Sequence, residues 1–398
     1  MNVEYIKDKG RTKYYPPLLA KTLKINAQEQ FNQKAKEDYF GASPNIFVGR
    51  FGYPHLNVGI LNTEEYNYHD DIPHWIKSNY SIPQIIDLRT NLINSSFKAS
   101  VKDFKGKLLE ISQEISMASK PVDVEVNLFK KPQFNISFNQ GTSPHGPNVS
   151  LKKAVLTENP TIPQHVDKVV SDSDFKAFDA LGELYERGFD RYYLTKLISV
   201  GNLGIKAQRK LVPTRWSITA VDDTLGKHLI QEIKDFSVIN EYLAFFGGYQ
   251  GNYFLVLLFP EIWQYELFEM ITIEQDAFST DYEPYEGRKT YASNTVGGYY
   301  GNRLRVLEKL KKMKRQASVL CLRFINPYEY IAPLGVFVTT EACANSLSHQ
   351  PIEFSSKELL ITFAEKFAKK KFNFDITPIL RKSKLLDAVN HQKKLWEY

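Results

Sequence analysis

Apolar positions along the chain switch between two periods. From Val122 to Phe129 they alternate, with Val122, Val124, Val126 and Leu128 separated by Asp, Glu and Asn. A period of two predicts a half-buried strand. Leu88, Leu92, Phe97, Val101, Phe104, Leu108 and Ile111 instead recur every three to five residues, which predicts one helix from about Asp87 to Met117. Similar spacing predicts helices over Leu18–Phe40, Asp174–Val200, Tyr299–Lys314, Ser356–Phe372 and Asp375–Asn390. Ile46–Val48 and Leu56–Leu61 flank Gly52-Tyr-Pro54 and read as a hairpin or tight loop. Further strands are expected at Arg215–Val221, Ile239–Phe246, Tyr253–Phe259, Ile262–Ile273, Ser318–Ile325 and Gly335–Thr340, with a turn at Gly247–Asn252. Asn139–Pro147 reads as a loop. Helices and strands mixed without strict alternation predict an α+β fold, or an irregular α/β one, with a mixed sheet and flanking helices. The polar, Gly/Pro-bearing stretch Asp276–Lys289 is the expected boundary. It gives a large domain over 1–275, a smaller one over 276–390 and a tail over 391–398.

Composition narrows the class. At 398 residues, 43% hydrophobic and 24% charged, the chain is an ordered globular protein with ample core. Its net charge of +6 permits contact with phosphate backbones without demanding it. Two cysteines, Cys321 and Cys343, exclude a disulfide framework and a multi-cysteine zinc site. No apolar stretch follows the charged N-terminal residues, and the run Tyr253–Pro260 is too short to cross a bilayer. A cytoplasmic protein with no membrane partner is expected.

Candidate chemistry is scattered. The expected strand at Arg215–Val221 runs into Asp222 and Asp223, and Asp87 is a third carboxylate of the same kind. Carboxylates at a strand end suit Mg²⁺ or Mn²⁺ and phosphodiester chemistry, with Arg50, Arg89 and Arg215 as phosphate clamps. The plainer reading is that Asp222 or Asp223 caps a helix starting at Leu225. His69-Asp-Asp-Ile-Pro-His74 offers metal-ligand types but no completing partner, so a solvated loop is expected. Lys309–Arg315 and Lys366–Lys371 are basic runs, either phosphate contacts or solvated helix faces. Gly297-Gly-Tyr299-Tyr300 offers backbone N–H groups to a phosphate and two rings for stacking, or for packing.

The last residues carry the sharpest local pattern. Gln392, Leu395 and Tyr398 have the Gln-x-x-aliphatic-x-x-aromatic spacing of peptides that dock into PCNA-type sliding clamps. One helical turn then presents an amide and two apolar anchors on one face. Lys393 and Lys394 would suit an acidic clamp rim. The usual second aromatic is missing, and the alternative is a helix that packs Leu395 and Tyr398 on its own domain.

Several longer phrases resemble the archaeal Nre family of DNA repair proteins. They are Gly49-Arg-Phe-Gly-Tyr-Pro54 with Asn57-Val-Gly59, Lys210-Leu-Val-Pro-Thr-Arg-Trp-Ser-Ile-Thr-Ala-Val-Asp-Asp223, Gly287-Arg-Lys-Thr-Tyr291, and Gly297-Gly-Tyr-Tyr300 with Arg303. The resemblance spans nearly the whole chain. It implies a larger N-terminal and a smaller C-terminal domain, a role in DNA repair on the nucleoid, and a clamp-binding tail at Gln392, Leu395 and Tyr398. It also adds Arg288, Lys289 and Arg303 to the candidate phosphate-binding residues. Many relatives carry a Cys-rich N-terminal element; here no Cys precedes Cys321, so no zinc finger is expected. Two functions remain open: a clamp-tethered DNA repair factor, and a metal-dependent nuclease or related enzyme acting on damaged DNA.

Overall fold

The computed structural model describes residues 35–102, 105–133, 145–275, 277–295 and 297–391. They form two compact units, one running to Leu225 and the other starting at Gly226. The fold is α+β, with a mixed sheet in each unit.

The first unit is built on β1 (Asp38–Val48), β2 (His55–Thr63), β3 (Ile93–Ser100), β4 (Val122–Leu128) and β5 (Asn148–Leu156). Two short helices, α1 (Ile72–Lys77) and α2 (Ile82–Thr90), lie between β2 and β3, and α3 (Lys107–Met117) lies between β3 and β4. The strands close into a barrel in the order β1-β2-β3-β5-β4. β1 serves two neighbours, pairing Asp38–Ser43 with β4 and Ala42–Val48 with β2 across a register shift. β3 and β5 run parallel and the other pairs antiparallel. This order, with one parallel pair and a helix between the third and fourth strands, is that of an OB-type barrel. Alternation turns Ile46, Val48, Leu56, Val58, Ile60, Val122, Val124 and Val126 into the barrel core, each stabilising it by about 1.5–3 kcal/mol on burial. The unit continues through α4 (Gln164–Ser171), α5 (Ala177–Glu186), α6 (Arg191–Ser199) and α7 (Thr214–Ile233). The division between units falls inside α7.

In the second unit β6 (Tyr242–Tyr249), β7 (Asn252–Phe259), β8 (Gln264–Ile271), β9 (Phe278–Glu283), β10 (Ser318–Ile325) and β11 (Ile352–Phe354) make one sheet in the order β11-β6-β7-β10-β8-β9. Only β8 and β10 are parallel. Gln250 and Gly251, both left-handed, make the two-residue turn from β6 to β7. The helices are α8 (Tyr299–Met313), α9 (Phe337–Ser348), α10 (Lys357–Phe372), α11 (Thr377–Leu380) and α12 (Lys384–His391). One face of the sheet packs Leu255, Leu257, Leu320, Leu322 and Phe324 against Leu360, Ala364, Ala368 and Leu385 of α10 and α12. α9 packs on β6 and β7, and α8 meets the sheet through Tyr299 on Tyr265. Among the described residues no helix is long and apolar enough to cross a membrane.

Several expected elements are built differently. The helix expected over 87–117 is α2, β3 and α3, because the Ser- and Asn-rich run of β3 completes the barrel between β2 and β5. The helix expected over 174–200 breaks at Gly188 (φ 89°), and Asp190 caps α6 by accepting from the Tyr192 and Tyr193 amides. The helix expected over 375–390 is α11 and α12. Gly335–Thr340 was expected as a strand because of its Val and Thr residues. It instead starts α9, where Phe337, Val338, Ala342 and Cys343 are buried. Arg215–Val221 is likewise helical. Ser217, Val221, Leu225, Leu229 and Ile233 recur every fourth residue and are all buried, so the period of α7 overrides its β-branched composition. β9 occupies part of the polar stretch 276–289. The expected helix 18–40 falls mostly outside the described residues, and its end, from Asp38, belongs to β1. The loop 139–147 also falls mostly outside them.

Candidate functional site

The loop from β1 to β2 and the start of α7 are bound to each other by backbone geometry. The Gly49 amide donates to the Asn57 carbonyl (2.8 Å) and the His55 amide to the Gly52 carbonyl (2.8 Å). Gly52 has φ 92°, and a Cβ there would lie 2.8 Å from the His55 carbonyl oxygen, so the tight return needs glycine. A cis Tyr53–Pro54 bond follows. At one end of the loop the Val48 amide donates to Thr214 Oγ1 (2.9 Å). At the other the Val101 amide donates to the Pro54 carbonyl, and the Leu211 amide donates to the Val101 carbonyl, each at 2.9 Å. The Gly49–Pro54 and Lys210–Ser217 phrases, far apart in sequence, therefore meet on one edge of the barrel.

That edge is aromatic and basic. Phe51 is 74% exposed, Tyr53 66% and Trp216 52%. The Arg50 guanidinium lies over the Phe51 ring, 4.8 Å from its centroid. Arg50 and Arg215 are exposed. Phe51, Tyr53 and Trp216 were not singled out from sequence, since whether a ring is packed in a core or left in solvent depends on tertiary contacts.

The expected carboxylate site is not assembled. Asp222 and Asp223 sit in the middle of α7, so neither ends a strand nor caps a helix. Asp222 is buried and accepts both Nε (2.7 Å) and Nη2 of Arg191, itself buried. Asp223 is half-buried and is not free either. Asp87 is exposed on α2. Among the described residues no group of three or more His, Cys, Asp or Glu side chains is placed to hold a metal ion.

Arg89 and the histidine-bearing segment form structural contacts. Arg89 is half-buried, 3.8 Å from Asp70 and 5.1 Å from the Trp75 ring centroid. Asp70 also accepts from Asn45 Nδ2 (2.6 Å). His69 is buried with Nδ1 2.8 Å from the Leu88 carbonyl, Asp71 caps α1 through the His74 amide, and His74 stacks on Tyr68. The span is thus ordered, not the solvated loop expected. Near it Lys196 donates to the Ala118 carbonyl (2.8 Å) over the Tyr193 ring, and burial lowers its pKa to about 8 against the pull of Asp190 and Asp70.

In the second unit most of the expected phosphate ligands are turned inward. Arg303 is buried and pairs with buried Glu283 (2.5 Å). Arg288 pairs with Asp281 (3.0 Å) and donates to the Tyr282, Thr290 and Tyr291 carbonyls. Tyr299 is buried, with its hydroxyl pKa raised by that burial, and Tyr300 accepts the Ala292 amide (2.9 Å). These residues hold the segment between β9 and α8 in place. Lys289 alone of this group is exposed. Of the basic runs, Lys309 lies over Phe245 and Lys311 pairs with Glu232, while Lys366 and Lys369–Lys371 are exposed. Gln392, Leu395 and Tyr398 lie outside the described residues, which end at His391.

Comparison with known proteins gives a consistent set of relatives. The family model described as Archaeal Nre, N-terminal matches residues 12–275, and that described as Archaeal Nre, C-terminal matches residues 283–398. A protein of Archaeoglobus fulgidus named DNA repair protein NreB is 34% identical over 375 residues, 91% of this chain and 92% of that protein. DNA repair protein NreA of Haloferax volcanii is 36% identical over 335 residues, 79% of this chain and 80% of the relative. DNA repair protein NreA of Archaeoglobus fulgidus is 39% identical over 337 residues, 82% and 84% of the two chains.

Proposed function

Because this chain belongs to the archaeal Nre family, we propose that it is a DNA repair factor held at its site of action by a sliding clamp of the PCNA type. The observation that carries the repair role is the full-length likeness to relatives named for DNA repair. The tether is supported by the spacing of Gln392, Leu395 and Tyr398, which gives one turn an amide and two apolar anchors. Such a peptide docks by filling an apolar pocket, so most of its affinity resides in Leu395 and Tyr398, and Gln392 fixes the register. DNA is the second partner on this reading, and the protein acts on the nucleoid.

The test is capture of the chain by immobilised clamp. Wild-type protein binds, and the combined change Gln392→Ala, Leu395→Ala, Tyr398→Ala reduces binding at least about a hundredfold, given two apolar anchors of about 1.5–3 kcal/mol each. The thermal midpoint stays where it was. Equal capture of the triple variant overturns the tether.

A further inference from the structure

We infer that the barrel edge formed by the β1–β2 loop and the start of α7 is a binding surface for single-stranded DNA, on which unpaired bases stack against Phe51, Tyr53 and Trp216. This inference rests on the reading of the chain as a DNA repair factor and adds where, and in what form, it takes DNA.

Three kinds of observation converge. The first is exposure: more than half of each of the three side chains faces solvent, although rings of this size are normally drawn into a core. The hydrogen bonds from Val48 to Thr214 and through Val101 to Leu211 hold the loop and the helix start together, so the rings are presented on a fixed support. The second is charge. Three segments build this edge, Asn45–Thr63, Ile93–Lys102 and Leu203–Val221, and none contains an Asp or Glu. They contribute exposed Arg50, Lys98, Lys102, Lys210 and Arg215. Such a surface attracts a phosphate backbone. The third is the face beside the loop. On β2 and β3 the outward pair nearest the loop is Asn57 with Lys98, both exposed and polar, while at the next pair, Gly59 with Ser96, the Asn94 side chain covers the glycine. Phe47, 43% exposed, stands opposite Gly59 on β1 and extends the row of rings. The outer face of the second and third strands with the loop joining the first two is where barrels of this order take oligonucleotides.

The chemistry selects the form of the ligand. In a duplex the faces of the bases are already covered by their neighbours, so exposed rings gain nothing from it beyond phosphate attraction. Unpaired bases offer free faces, and stacking on aromatic side chains is tolerant of sequence. A patch that was only basic would bind both forms by charge; the three rings distinguish them.

The experiment uses the full chain without clamp and a fluorescent oligothymidylate of about 20 nucleotides, a length we choose to cover one barrel site. Wild-type protein binds it at least about tenfold more tightly than duplex of the same length. Phe51→Ala, Tyr53→Ala, Trp216→Ala together removes that preference and weakens single-strand binding at least about tenfold, as the loss of stacked bases requires. Arg50→Glu with Lys98→Glu weakens binding to both forms and flattens the dependence on salt. Circular dichroism verifies that each variant is folded. As a readout that needs no loss of binding, the oligonucleotide quenches Trp fluorescence in wild-type protein, and Trp216→Phe removes most of that quench while binding persists. Equal affinity for duplex, tighter binding of RNA of matched sequence, or equal affinity for poly-glutamate of matched charge overturns the inference, as does a triple variant that binds like wild type. Clamp capture is measured in parallel. Capture without single-strand binding removes this surface and leaves the tether, and the reverse outcome removes the tether alone.

Discussion

Asp222 and Arg191 show what a buried charge requires. Each is almost fully enclosed, and the guanidinium meets the carboxylate with two parallel hydrogen bonds. Removing one partner strands the other charge in a medium that cannot solvate it. Asp222→Asn is therefore expected to lower stability by about 3–5 kcal/mol in urea denaturation. Replacing both, as Asp222→Leu with Arg191→Met, recovers most of that loss, because two apolar groups leave no charge behind. An Asp222→Asn variant as stable as wild type would contradict the pairing. Lys196 makes the opposite case, a charge disfavoured by burial. Its folded pKa of about 8 lies below the ordinary lysine value of 10.5, so between those values the unfolded chain holds a proton that the folded chain has released. Stability from this group rises with pH across that window, and the penalty is greatest below about pH 8. The stability of wild type relative to Lys196→Met should accordingly increase from pH 7.5 to about pH 9.5, as read from urea midpoints; no change, or a decrease, would refute the assignment.

Elements are anchored by contacts distant in sequence. α12, the last described helix before the tail, begins at a carboxylate on β8. Glu266, fully buried, accepts from Ser383 Oγ (2.5 Å) and from the Lys384 and Leu385 amides, while Ser383 Oγ accepts the Leu386 amide. A negative group at a helix N-terminus satisfies its open N–H groups and opposes the positive end of its dipole. Burial raises the Glu266 pKa, and these hydrogen bonds pull it back. Glu266→Ala should speed hydrogen exchange at Leu385–Asn390 at least about tenfold, the effect of losing a cap of roughly 1–2 kcal/mol. Protection unchanged in α12 would show that packing of Leu385 and Leu386 alone holds it. The helical period of this region is plain in the sequence; the break at Ser383 and its partner, more than a hundred residues upstream, are not.

At the scale of the whole molecule, the proposed functions would give one chain two binding elements, the tail peptide for a clamp and the barrel edge for single-stranded DNA. With the tail on a clamp that encircles DNA and the edge on single-stranded DNA beside it, the second contact would form at the high effective concentration set by the first. Apparent affinity for single-stranded DNA adjoining a loaded clamp should then exceed that for free DNA by about 10²–10⁴. The Gln392, Leu395 and Tyr398 triple variant should bind both DNAs equally. Competition between loaded and clamp-free DNA measures this, and an equal wild-type preference for the two would show that the elements do not act together.

The sequence by itself determined the parts whose cause is local. Alternation marked β4, β-rich apolar runs marked the β1–β2 hairpin and β6, β7, β8 and β10, and helical spacing marked α8 and α10, because such patterns follow from backbone geometry over a few residues. The phrases at Gly49–Pro54 and Lys210–Asp223 were legible as a family likeness. Composition misled where it conflicted with packing: α7 and α9 start in runs rich in β-branched residues, yet the buried face of α7 repeats every fourth residue and α9 is buried nearly all round. Only the tertiary structure decided what each charge and ring does. Asp222 read as a helix cap or a metal-binding carboxylate, and Arg303 as a phosphate ligand, whereas Arg191 and Glu283 lie opposite them. Phe51, Tyr53 and Trp216 became a surface only once Val48 was seen to meet Thr214. The physical reason is that pairing and exposure depend on which distant segments pack together, and no local period encodes that choice.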